Sequence, residues 1–119
     1  VGFVETQHDL QLETYGIDLR ALRGAERARF VRDMVLACED ELHEILHLVH
    51  WKPWHEGRLV YGADVEGLEE AKTEFGDIMC FIGNLAGVFG LTTKDVMEGF
   101  ELKVEKNRVR HDINTRGEQ

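Results

Sequence analysis

The sequence predicts an all-α fold, built as a single domain over residues 1–119. Three observations predict it. Two long runs, 25–49 and 66–89, carry apolar residues at helical spacing. No segment reads as a strand. The one proline, Pro53, lies between the two runs, where the chain must turn.

Taken in order, the first element is a short helix around Thr6 to Tyr15, with Phe3, Leu10, Leu12 and Tyr15 as its apolar residues and Gly16 as its stop. After a connection through Asp18 and Gly24, the run from Ala25 to Val49 has no Gly or Pro. It places apolar residues at 31, 34, 35, 38, 42, 45, 46 and 49, the pattern of a long amphipathic helix. Pro53 disfavours helix at Lys52, so the chain turns near Trp51 to Trp54, and Glu56 to Val65, with Gly57, Gly62 and Asp64, reads as a loop. From Glu66 to Phe89 the period returns in the stripe Leu68, Ala71, Phe75, Ile78, Ile82, Leu85 and Phe89. Gly76, Gly83 and Gly87 each weaken an exposed helix by about 1 kcal/mol relative to Ala, so close helix packing is expected there. Gly90 ends this helix, and Thr92 with Asp95 starts the last one in the manner of a capping box, running to about His111. Helices with such wide apolar sides leave surface uncovered in one chain. A helical bundle completed by homo-oligomerisation, as a dimer or tetramer, is therefore expected.

Charge narrows the function classes. The chain carries 23 acidic and 14 basic residues, a formal net charge of -9, which argues against nucleic acid or an anionic membrane as partner. No apolar run approaches the roughly 18 residues of a membrane span, and no signal-peptide pattern is seen. Cys38 and Cys80 sit among apolar residues and read as reduced, buried thiols, so a cytoplasmic location is expected.

The chemistry is carried by acidic pairs. Glu41 and Glu44 are three residues apart in the first long helix, and Glu74 and Asp77 repeat the spacing in the second. Residues three apart share a helix face, so two antiparallel helices could gather four carboxylates around one small volume. Such a group repels itself unless a cation neutralises it, and hard oxygen ligands select magnesium or manganese. A metal-dependent chemistry on phosphate esters follows.

Asp40-Glu41-x-x-Glu44 followed by Glu74-x-x-Asp77 resembles the signature of the all-α nucleoside triphosphate pyrophosphohydrolases, the MazG-like and dimeric dUTPase-like superfamily. Trp51-Lys52-Pro53-Trp54, Asp77-x-x-x-Phe81-x-x-Asn84 and Lys103-x-x-x-Asn107-x-x-Arg110 extend the likeness over about residues 25 to 111. The chain departs from the pattern at Asp40, where Glu is usual, in the long interval between the acidic pairs, and at Cys80, where dimeric dUTPases often have His. The whole pattern is most similar to small MazG-like enzymes of phages.

The resemblance implies hydrolysis of a deoxynucleoside triphosphate to the monophosphate and pyrophosphate, with dGTP or dATP favoured and a dimeric dUTPase-type reaction on dUTP or dCTP as the alternative. It implies two to three Mg2+ or Mn2+ ions held by Glu41, Glu44, Glu74 and Asp77, with Glu41 or Glu44 taking the proton. Lys52, Lys103 and Arg110 are then candidates for the phosphates, Phe81 and Asn84 for the base, and Asn107 belongs to the same substrate-binding set. Two rivals stand beside this reading. Glu44-x-x-His47, with His43, His50 and His55 nearby, has the spacing of di-iron carboxylate bundles. A non-catalytic helical interaction module is the other.

Overall fold

The computed structural model describes residues 2–49 and 67–117, and the described residues contain helices and no strand. The helices are α1 (Phe3–Tyr15), α2 (Gly24–Leu46), α3 (Leu68–Val88) and α4 (Thr93–Gly117), with a 3-10 turn at Leu19–Ala21 between α1 and α2. The expected WKPW turn, the 56–65 loop, His50 and His55 lie outside the described residues.

Local chemistry sets the boundaries. Gly16 adopts φ 68°, and the amides of Gly16 and Ile17 return to the carbonyls of Leu12 and Gln11 at 3.1 Å each, closing α1 with a left-handed cap. The expected capping box opens α4: the Thr92 amide donates to Asp95 Oδ2 at 2.9 Å, and the Asp95 amide donates to Thr92 Oγ1 at 3.1 Å. Gly90, at φ 74°, supplies the bend between α3 and α4, whose axes differ in direction by 104°.

Helix α3 is the centre of the fold. Both α1 and α2 pack on it, and the 3-10 turn closes over its C-terminal half. The approach is close where glycine allows it. A Cβ on Gly83 would meet Gln7 Cγ at 2.9 Å and the Phe3 carbonyl at 3.2 Å, and one on Gly87 would meet Leu19 Cδ1 at 2.9 Å. Leu19 and Val4 are the largest fully buried side chains, and burial of each contributes about 1.5–3 kcal/mol. Gly76 faces open space, so the third expected close approach is absent within one chain.

Three hydrogen bonds tie the start of α1 to the start of α4. Glu5 accepts from the Thr93 amide at 2.9 Å and from Thr93 Oγ1 at 2.6 Å, while Thr93 Oγ1 accepts from the Val4 amide at 3.0 Å. The two bonds from Thr93 stabilise the ionised carboxylate and hold the Glu5 pKa below its ordinary value.

Two expectations need correction. Cys80 is exposed and Cys38 half-buried, both as free thiols: Cys80 shares a row with Thr73 and Gly76, on the stretch of α3 before the close contacts of Gly83 and Gly87 with α1 and the 3-10 turn. The α3 stripe is also less covered than its periodicity suggests: Leu68, Phe75 and Phe89 are all more than half exposed. On α2, none of the 23 residues is fully buried, and Val35, Leu42 and Leu46 form an exposed row.

The glycines give a paired prediction. Gly83→Ala should destabilise the fold by about 1–3 kcal/mol through overpacking against α1, whereas Gly76→Ala should be neutral or stabilising by up to about 1 kcal/mol. Urea unfolding of the two variants measures both.

Candidate metal centre

The α2–α3 pair runs antiparallel. Asn84 Nδ2 lies 3.5 Å from Met34 Sδ near one end of the pair, and further along α2 the Glu41 carboxylate reaches Glu74 and Asp77, further back along α3. This register brings acidic residues from two distant parts of the sequence together. One carboxylate oxygen from each of Glu41, Glu74 and Asp77 lies within 4.8 Å of the others, and all three residues are half-buried.

The fourth expected ligand, Glu44, is exposed and stands outside this group. Helix geometry explains the difference. Glu41 already occupies the side of α2 turned to α3, and a step of three residues falls about 60° short of a full turn. Glu44 is thereby set on the flank of the cleft, still near enough for its charge to act on Glu41.

The electrostatics of the cluster are unfavourable as it stands. With the carboxylates ionised, Glu74 Oε2 is buried and has no hydrogen-bond donor among the described residues, an arrangement that costs about 1–3 kcal/mol or more for a charged group. A proton on a neighbouring carboxyl or a cation would each relieve it. The Glu41 pKa is correspondingly raised to about 7, first by its hydrogen bond with Glu74, then by burial, then by the negative charges of Glu74, Asp77 and Glu44. The donor set is all carboxylate oxygen, which fits a hard divalent cation such as Mg2+ or Mn2+. His43 and His47 are exposed and outside the cluster, so the described residues supply no imidazole ligand for a di-iron centre.

The remaining candidates are dispersed. Phe81 is half-buried on α3, one turn beyond Asp77. Asn84 is buried, and its side chain is engaged: Oδ1 accepts from Gln7 Nε2 at 3.1 Å, so it bridges α1 and α3 rather than presenting an open amide. Lys103, Asn107 and Arg110 are exposed on α4, whose main packing partner is α1, and this places them away from the cluster within one chain. Lys52 lies outside the described residues. Sequence reasoning did not single out Gln7, the partner of Asn84, or the grouping of Arg20, Arg23 and Arg27. The arginine spacing of three and four residues was the available signal for the latter.

The raised Glu41 pKa has a definite consequence for stability. Between its ordinary 4.5 and about 7, the folded chain holds a proton that the unfolded chain has released, so this contribution is full below pH 4.5 and lost as pH rises through 7. Metal-free protein should therefore lose stability over this window. Glu41→Gln should melt higher than the parent at pH 8 without metal, and added Mn2+ should raise the parent's Tm but not the variant's. Thermal melts at pH 5 and pH 8, with chelator or with Mn2+, test this; identical melts for parent and variant would contradict it.

No family model, curated protein or solved structure matches this chain.

Proposed function

We propose that this chain is a divalent-cation-dependent pyrophosphohydrolase that converts a deoxynucleoside triphosphate, with dGTP and dATP favoured, to the monophosphate and pyrophosphate in phage or cellular nucleotide metabolism. The observation that carries the reading is the convergence of Glu41, Glu74 and Asp77 from two antiparallel helices, with a buried carboxylate oxygen left unpartnered among them. These are residues of the motif that resembles the MazG-like enzymes, and the helical bundle agrees with that likeness.

The division of labour follows from the positions. Glu41, Glu74 and Asp77 would hold Mg2+ or Mn2+. When bound, the ion neutralises phosphate charge and acidifies water. Glu44, exposed at the rim and not drawn into the cluster, is the carboxylate of the first pair best placed to take a proton from water at its side-chain oxygens. Lys103 and Arg110 supply the positive charge that a departing pyrophosphate requires.

One chain does not complete this arrangement, because α4 carries Lys103, Asn107 and Arg110 away from the cluster. The proposal is that a second copy brings them in. The apolar surface for such an assembly is present. Val35, Leu42 and Leu46 on α2 and Leu68, Phe75 and Met79 on α3 are each at least 39% exposed. Helical projection puts both rows on the same side of the antiparallel pair, opposite the flank that bears Glu44. Homodimerisation or tetramerisation through this side buries apolar area and leaves the carboxylates accessible.

Pyrophosphate release from a panel of deoxynucleoside and ribonucleoside triphosphates, with Mg2+, Mn2+ or chelator, tests the activity. Release should require metal, be fastest with a purine deoxynucleotide, and fall at least a thousandfold in Asp77→Asn with helical circular dichroism unchanged. No release from any nucleotide would overturn the proposal, and preference for dUTP would move it to a dimeric dUTPase-type reaction. Mixing inactive Asp77→Asn with inactive Arg110→Ala should restore part of the activity if the two residues serve one site from different copies.

A further inference from the structure

The chain is acidic overall, yet Arg20, Arg23 and Arg27 converge on one pocket of about 580 Å³. Val88, Phe89, Gly90 and Thr92 form its other wall. Among the described residues none of the three arginines makes an ion pair; the surface pairs of this region are His8–Asp18 and Arg32–Asp33. Three cationic side chains lining one cavity repel one another, and among the described residues the guanidinium donors of Arg20 and Arg27 meet no acceptor.

The pocket is partly pre-organised. Arg23 Nη1 donates to the carbonyls of Arg20 and Leu22 at 2.6 and 2.7 Å. That brace fixes the guanidinium plane and leaves its Nε and Nη2 donors for another acceptor. Glu5, which feels the charge of Arg20, is already bonded to Thr93 through both oxygens, and Asp18 accepts from the Arg20 amide at 3.1 Å. On the other wall Phe89 is 68% exposed and offers an apolar ring face to a planar or apolar group.

We propose that the pocket between Arg20, Arg23, Arg27 and Phe89 binds a nucleotide, with its phosphates on the guanidinium groups and its base against the phenyl ring. Guanidinium forks pair bidentately with phosphate oxygens, and a phosphate group offers more charge and more acceptor oxygens to several arginines at once than a carboxylate or chloride does. A volume of about 580 Å³ is in the range of small-molecule sites. The site is separate from the carboxylate cluster: Glu41 lies fourteen residues further along α2 than Arg27, about 21 Å of helix. It requires no metal, since its own charge is positive.

The test uses the whole chain with chelator present, so that the carboxylates cannot bind through a divalent ion. Titration calorimetry with dGMP, dGDP and inorganic pyrophosphate is run on the parent, on Arg20→Gln/Arg27→Gln, on Phe89→Ala and on Asp77→Asn. Arg23 is left intact because its brace supports the backbone. Expected are binding of dGDP by the parent and by Asp77→Asn with equal affinity, at least tenfold weakening in the double arginine variant, and weakening of dGDP but not of pyrophosphate in Phe89→Ala. Absence of chelator-resistant dGDP binding, or binding unchanged in the folded double variant, would overturn the proposal. Equal effects of Phe89→Ala on dGDP and pyrophosphate would overturn the base-stacking part. Because no turnover and no metal enter the measurement, its outcome is independent of the pyrophosphohydrolase reading.

Discussion

The close approach of α1 and the 3-10 turn to α3 is the constraint on which the rest of the structure depends. It is possible only because positions 83 and 87 lack a Cβ, which would otherwise strike Gln7, the Phe3 carbonyl and Leu19. With that side of α3 occupied, α2 is left the neighbouring side, where Glu74 and Asp77 project. The Gln7–Asn84–Met34 series of contacts then runs from α1 through α3 to α2 and fixes the level at which the long helices meet. Packing among small and polar groups at one end thus determines which carboxylates face one another at the other.

At that other end local stability and the proposed metal binding pull in opposite directions. An apolar or paired arrangement at positions 41, 74 and 77 would make a better metal-free helix pair. Instead the chain gathers negative charge, leaves ionised Glu74 Oε2 without a donor among the described residues and raises the Glu41 pKa to about 7. Such cost is expected where residues are held for a ligand rather than for the fold. The exposed apolar rows on α2 and α3 are a second departure from a self-sufficient chain, and in the proposed assembly they are covered by another copy.

Much of this architecture was legible in the sequence because its signals are local. Gly16 and Gly90 stop helices through their positive φ, Thr92 and Asp95 cap one another, and the 3.6-residue period marks α2 and α3. The pairing of Glu41 with Glu74 and Asp77 was legible as well, since spacing alone puts each on a cleft-facing row. What local pattern does not contain is which flank of a helix its neighbour covers, and over what length. That is why Glu44 fell outside the cluster, why Cys80 proved exposed, and why Asn84 turned out to be committed to Gln7, seventy-seven positions away. The arginine pocket escaped for the same reason: its aromatic wall comes from the end of α3, and only the fold places Phe89 beside Arg27.

The most direct measurement of the central claim is anomalous diffraction at the manganese edge from crystals grown with Mn2+. The account requires manganese density among the carboxylates of Glu41, Glu74 and Asp77, with oxygen ligands at about 2.0–2.3 Å. Crystals that bind manganese elsewhere while this cluster stays empty, or that show its carboxyls hydrogen-bonded to one another at saturating Mn2+, would contradict it.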